Sequence, residues 1–164
     1  DSVTVDMGPP VLDTARIPFI SENQQAVAEK IEVAGRKVPI TAVSMGNPHA
    51  VVFVNAADKA PVTELGPEIE THERFPEKTN VEFIEIISRT ELKMKVWERG
   101  AGVTMACGTG ACAALVAAVL NQKASRKARI RLDGGDLLIH WDETTNHILK
   151  TGPANIVFTG TIDV

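Results

Sequence analysis

The sequence predicts an α+β fold in which a strongly curved, mostly antiparallel β-sheet wraps one buried central helix. Three observations carry that reading. From Ala111 to Leu120 every position is apolar, so a helix there has no polar face and must be enclosed by protein; the run is too short to span a bilayer. Around it lie segments with two-residue alternation, such as Leu92, Met94 and Val96 against Lys93, Lys95 and Trp97, the pattern of half-buried strands. Gly, Pro and Asn turns at short intervals separate these segments. One domain over residues 1–164, with many strands around one helix, follows from the pattern.

Taken in order, Val3 to Met7 reads as a strand closed by Gly8-Pro9-Pro10, and Val11 to Gln25 as a loop with an irregular turn. Ala26 to Val33 and Val38 to Met45 flank Ala34-Gly35-Arg36-Lys37 and predict a hairpin. Gly46-Asn47-Pro48 breaks it, and His49 to Val54 is a β-branched run of the kind buried on both faces. Pro61 to Phe75 carries Val62, Leu65, Ile69 and His72 at helical spacing, with Gly66-Pro67 weakening or restarting the helix. Asn80 to Ile87 and Leu92 to Trp97 predict paired strands ahead of the central helix. Ala128 to Leu132 and Leu137 to Trp141 form a hairpin about Gly134-Gly135, and His147 to Lys150 and Asn155 to Phe158 are the last expected strands.

Composition narrows the function. A net charge of −4 offers no basic stripe for nucleic acid, and no run reaches membrane-span length or resembles a signal peptide. Two cysteines without the marks of a pair fit a reducing, cytoplasmic setting. Asp1 leads at once into a strand-like alternation, so a fragment of a longer chain is expected.

The chemistry centres on Cys107. It stands immediately before Gly108-Thr109-Gly110, the first turn of the central helix, whose N–H groups lack helical partners and carry the positive end of the dipole. An anion is expected there, and the thiol pKa is expected below its free value of about 8.5. Cys112 lies inside the apolar run and reads as a core residue. On one helix the two side chains stand roughly 140° and about 7.5 Å apart along the axis, so they cannot face one small substrate or form a disulfide readily. Cys-x4-Cys without a second Cys/His pair is also a poor metal site. If the chemistry needs two thiols, the second lies outside this chain.

Three other places can bring groups to Cys107. Asn47-Pro48-His49 offers an amide and an imidazole at a strand break, with His49 a candidate partner for a thiolate. Asn80 opens a β run. Glu98-Arg99 leaves a strand toward Gly100-Ala101-Gly102, and Arg99 has the planar fork that grips carboxylates. Each also has a plain structural reading as turn, strand-start or solvated pair. Together they suit an amino-acid-like ligand: helix N–H groups and Arg99 for a carboxylate, Glu98 or the amides for an ammonium, the thiolate aimed at the carbon between. No lysine stands in a setting that suggests a pyridoxal Schiff base, so no cofactor is expected and fixed dipoles carry the burden. His72, His140 and His147 show no metal spacing and are expected to be structural.

These blocks resemble the diaminopimelate epimerase family. Glu98-Arg99-Gly100-Ala101-Gly102 followed by Ala106-Cys107-Gly108-Thr109-Gly110-Ala111-Cys112-Ala113-Ala114 is similar to its second cysteine motif. Met45-Gly46-Asn47-Pro48-His49 and Thr79-Asn80-Val81-Glu82-Phe83 resemble two further blocks in the family's order, and the likeness runs from Val3-Asp6-Met7-Gly8-Pro9-Pro10 to Thr151-Gly152-Pro153-Ala154. Proline racemases share the Cys-Gly-Thr-Gly turn without the Glu-Arg-Gly-Ala-Gly block.

The resemblance implies a cofactor-independent enzyme that interconverts LL- and meso-diaminopimelate in lysine and peptidoglycan precursor synthesis. It implies two pseudo-symmetric domains, each a curved sheet around a helix, with one catalytic cysteine per domain. Cys107 corresponds to one of these acid/bases. Asn47, Asn80, Glu98, Arg99, Gly108 and Thr109 correspond to substrate-binding positions, and His49 and Glu98 to residues that tune the thiols. The N-terminal domain with its own Cys-Gly-Asn motif has no counterpart in these residues, so the chain is expected to be the C-terminal half and inactive alone, its partners being diaminopimelate and the missing domain, with a second copy in a homodimer as a further candidate. Alternatives are a Cys-His thiol hydrolase with Cys107 as nucleophile and His49 as base, an anion-binding module using the helix start, and another member of the proline racemase-like group.

Overall fold

The computed structural model describes all 164 residues. Ten strands alternate with two helices: β1 (Ser2–Asp6), β2 (Glu29–Val33), β3 (Arg36–Ser44), β4 (Pro48–Phe53), α1 (Val62–Glu70), β5 (Asn80–Ser88), β6 (Glu91–Glu98), β7 (Gly102–Val103), α2 (Gly108–Leu120), β8 (Lys127–Leu132), β9 (Gly135–Trp141) and β10 (Ile148–Pro153). One sheet runs in the order β1-β10-β9-β8-β6-β5-β4-β3-β2, with the short β7 folded back on β6. The α+β class and the enclosed helix are as the pattern indicates.

Two of the pairings are parallel, β4 with β5 and β6 with β8. Parallel neighbours need a long crossover, and here each crossover contains a helix: α1 joins β4 to β5 and α2 lies between β6 and β8. Strand alternation then divides the apolar residues between two faces. Val43, Val51, Ile84, Met94 and Val96 pack with α2, while Ala42, Ala50, Val52, Val81 and Phe83 pack with Leu65 and Ile69 of α1. His49 and Glu82 therefore point to the α2 face, two residues from Val51 and Ile84 respectively.

Helix α2 is sealed from Gly110 to Ala118, which requires the absence of any polar face seen in Ala111 to Leu120. Helix α1 ends at Glu70, short of the expected Phe75. The cause is local: Pro67 sits inside it, and Thr71 closes it by donating both its backbone N–H and its hydroxyl to the Pro67 carbonyl. Gly66 lets α1 approach β6, since a Cβ there would stand 2.6 Å from Cγ of Trp97.

The strand expected over Asn155 to Phe158 does not form. Its ladder ends near Pro153, with Ala154 N–H donating to Asp1 O, and Ile156, Val157 and Phe158 stand exposed. A β segment needs a neighbouring backbone to satisfy its N–H and C=O groups, and none lies beside it. No helix is long and apolar enough to cross a membrane.

Candidate functional site

The site gathers where α2 begins. Cys107 is the N-cap of α2 in extended backbone, and its sulfur accepts the Gly110 N–H at 3.3 Å. A thiol thus occupies the position normally held by Ser, Thr, Asp or Asn. The Thr109 hydroxyl lies 3.6 Å from the same sulfur. Gly110 has no alternative residue at this approach: a Cβ would fall 2.7 Å from Glu82 Oε1 and 3.1 Å from Cys107 Sγ.

The thiol is not acidified. Burial pushes the Cys107 pKa up to about 11, the negative charge of Glu82 adds to that push and Glu98 adds a little more, while Thr109 and the Gly110 N–H pull it down. The expected value below about 8.5 is corrected: the helix-start donors are outweighed by desolvation and two carboxylates. Cys107 rests as the protonated thiol. Cys112, wholly buried, is held still higher, at about 12, chiefly by burial. Both cysteines are free.

The turn between β3 and β4 brings Asn47 and His49 in. His49 is completely buried and does not bond the sulfur, which corrects the expected imidazole–thiolate pair. Its Nδ1 lies 2.6 Å from Glu82 Oε1, and its Nε2 3.0 Å from Asn47 Oδ1. The Asn47 amide nitrogen donates to Thr109 Oγ1 at 3.3 Å. His49 therefore reaches Cys107 only through Asn47 and Thr109.

Asn80, at the start of β5, is a fastener between blocks: its Oδ1 accepts the Arg99 N–H at 2.8 Å and its Nδ2 donates to the Pro48 carbonyl at 3.1 Å. Glu98, ending β6 on the α2 face, accepts the Thr104 hydroxyl. Arg99 is exposed and donates from Nη1 to the Glu77 carbonyl at 3.0 Å, with no carboxylate in its fork. Gly108 and Thr109 open α2 with N–H groups pointing out of the helix. No group of three His, Cys, Asp or Glu side chains is placed to hold a metal ion.

Three contributors escaped the sequence reading. Glu82 is fully buried against α2; its signal was a lone charge within the apolar run Val81 to Ile84. Glu70, at the end of α1, accepts the Gly100 N–H at 2.8 Å and the Trp97 indole N–H at 2.7 Å, fixing the turn that carries Arg99. Nothing local marked it. Lys150 of β10 lays its ammonium 2.8 Å from where a Cβ on Gly108 would sit, adding positive charge to the helix start. No local pattern marks it, because only the folded sheet brings β10 to that end of α2.

Comparison with known proteins identifies the family of the chain. The diaminopimelate epimerase family model matches residues 41–157, a span that includes Asn47, His49, Asn80, Glu98, Arg99 and Cys107. A diaminopimelate epimerase of Desulforapulum autotrophicum is 57% identical over 164 residues, all of this chain and 58% of that protein. One of Acetivibrio thermocellus is 52% identical over 162 residues, 99% of this chain and 58% of its own length. The chain thus spans little more than half of the curated relatives it matches. Among solved structures, a probable proline racemase from Agrobacterium radiobacter superposes with a TM-score of 0.62 at 18% identity, over 93% of this chain and 50% of that one, a likeness of fold. By the family match and by these relatives, the chain belongs to the diaminopimelate epimerase family.

Proposed function

We propose that the chain is the C-terminal half of a cofactor-independent diaminopimelate epimerase and supplies, in Cys107, one of the two thiols that invert the α-carbon of the substrate. The observation that carries the reading is the Cys107 sulfur at the head of α2, contacted by Thr109 and Gly110, with Asn47 bonded to Thr109 behind them. The relatives named above support the substrate class.

In this reading the outward N–H groups of Gly108 and Thr109 receive a substrate carboxylate at the positive end of α2, and Arg99 receives another part of the anion. Asn47, Asn80 and Glu98 supply oxygens to the ammonium. Cys107, resting as a thiol, acts first as the proton donor. A thiolate from the other half takes the α-proton from one face of the carbon. The Cys107 S–H bond breaks as its proton passes to the opposite face, leaving a thiolate held by the Gly110 N–H and the Thr109 hydroxyl. The reverse reaction uses the same groups with roles exchanged. His49 and Glu98 act as tuning groups, His49 through Asn47 and Thr109.

The hydrolase alternative fits less well, because both ring nitrogens of His49 are engaged elsewhere and neither bonds the nucleophile it would have to activate. The deciding experiment follows LL/meso interconversion in D₂O with the two-domain protein that contains this chain. Cys107→Ala should abolish inversion there, and the 164-residue chain alone should show none. Inversion that survives Cys107→Ala overturns the assignment of Cys107. Inversion by the isolated chain overturns the two-half mechanism.

A further inference from the structure

Glu82 and His49 form a pair with no access to solvent, one on β5 and the other on β4. The second carboxylate oxygen of Glu82 is buried without a hydrogen-bond partner. A net negative charge on this pair, with one oxygen unsolvated, is strongly disfavoured in the interior. The pair avoids it by holding two protons: one shared between Glu82 Oε1 and His49 Nδ1, the other on His49 Nε2. That arrangement has no net charge, and with the shared proton nearer nitrogen Glu82 keeps the carboxylate charge that faces Cys107.

The proton on Nε2 sets the direction of every bond that follows. It is donated to Asn47 Oδ1 at 3.0 Å, which turns the amide NH₂ toward Thr109 Oγ1 at 3.3 Å. Thr109 then accepts from Asn47, and its single O–H is left to donate to Cys107 Sγ, 3.6 Å away. Were Nε2 bare, Asn47 would flip its NH₂ toward the ring. Thr109 would then donate to the Asn47 oxygen, and the sulfur would lose its hydroxyl donor.

We infer that Glu82 is a positioning residue for the thiol chemistry: by keeping a proton on His49 Nε2 it orients the donor chain His49 to Asn47 to Thr109 toward Cys107. Thr109 is then ready to stabilise the thiolate that Cys107 becomes after giving up its proton. The inference deepens the epimerase reading but is tested without it. Other charges facing this end of α2 are Glu98 from β6 and Lys150 from β10, and Cys112 lies behind on α2 itself.

Two measurements on the 164-residue chain decide it. ¹⁵N NMR of His49 should show Nε2 protonated throughout neutral pH; a bare Nε2 overturns the inference with no variant needed. The second is a double-mutant cycle read by the pH dependence of Cys107 alkylation, with Cys112→Ala as the common background. Thr109→Val should lower the thiolate fraction at fixed pH roughly tenfold, the scale of one hydrogen bond to a charged acceptor, and Thr109→Ser should restore it. Glu82→Gln should shift the profile with Thr109 present and by a clearly different amount with Val at 109. Additive shifts overturn the inference, since a purely structural or through-space role of Glu82 does not need the Thr109 hydroxyl. Should Glu82→Gln fail to fold, the NMR of the unmutated chain decides alone. Neither readout involves turnover. Loss of the epimerase reading in the D₂O experiment and loss of this inference are therefore separate results.

Discussion

The Cys107 sulfur accepts the backbone N–H of Gly110 at 3.3 Å, so the atom that caps α2 is the one to which the proposed mechanism gives proton transfer. The two roles reinforce each other chemically. A thiolate is a stronger acceptor than a thiol, so the cap bond tightens when Cys107 gives up its proton. The backbone that receives the new charge is already fixed by the enclosed helix behind it, so little reorganisation accompanies the transfer.

Gly110→Ala tests how tight that arrangement is. The added methyl would meet Glu82 Oε1 at 2.7 Å and Cys107 Sγ at 3.1 Å, both held by their own bonds. Alanine's better helix propensity offsets only about 1 kcal/mol, against an overpacking cost of about 1–3 kcal/mol. Chemical denaturation should show a net loss of stability, and alkylation of Cys107 should change rate because the sulfur or the carboxylate has moved. A variant as stable as the parent with an unchanged alkylation profile contradicts this packing.

The raised thiol pKa values give a pH prediction with a definite sign. Cys107 is pushed from the ordinary 9.0 up to about 11 and Cys112 to about 12. Between these values and 9.0 the folded chain holds protons that the unfolded chain has released, so stability falls as pH rises. The contribution is complete below pH 9 and drains away above it. Denaturation midpoints should decline from pH 9 toward pH 11, and Cys107→Ala with Cys112→Ala should flatten the decline. Cys107 alkylation at neutral pH should be slow beside that of a free thiol.

The approach of Asn47 to the head of α2 was legible because Asn47-Pro48-His49 is a short motif at a strand break, where local chemistry limits the residue, whereas Asn80 and Arg99 bond Pro48 and Glu77 and make no bond to Cys107. The central helix was legible because an apolar run without a polar face has one sensible environment. The acidity of Cys107 was misjudged because a helix start is a local feature, whereas burial and the Glu82 charge arrive from the folded sheet. Glu82 shows the same limit. A charge inside an apolar β run needs a partner, but only the β4–β5 pairing, with His49 beside Asn80, reveals which. The Asn155–Phe158 alternation is strand-like in itself; whether it pairs depends on a neighbouring backbone that local pattern does not describe.

Glu70→Ala tests the clamp on the Glu98-Arg99-Gly100 turn. The Glu70 carboxylate accepts the Gly100 N–H and the Trp97 indole N–H, and both lose their acceptor in the variant. Donors left without a partner at a half-buried site cost about 1–3 kcal/mol. The denaturation midpoint should fall accordingly, and amide exchange at Gly100 and Ala101 should accelerate while exchange inside α2 remains slow. Uniform acceleration across the chain would instead mark Glu70 as a general stability residue.

Cys112→Ala separates the two cysteines. Cys112 is fully exposed to core neighbours and not at all to solvent, one turn and a half beyond Cys107 and pointing to a different side of α2. Removing its sulfur takes away one buried heavy atom and leaves a small cavity, a cost of about 1–2 kcal/mol that the packed helix can absorb. In the proposed two-domain epimerase, Cys112→Ala should leave LL/meso interconversion close to that of the parent, while Cys107→Ala removes it. Cys112→Ser should be the more destabilising replacement of the two, because its hydroxyl enters the apolar cluster around Leu115 and Val116, where its partners are limited to backbone carbonyls of its own helix. Equal loss of interconversion in Cys107→Ala and Cys112→Ala, with both variants folded, would mean that the chemistry does not distinguish the capping sulfur from the one in the core.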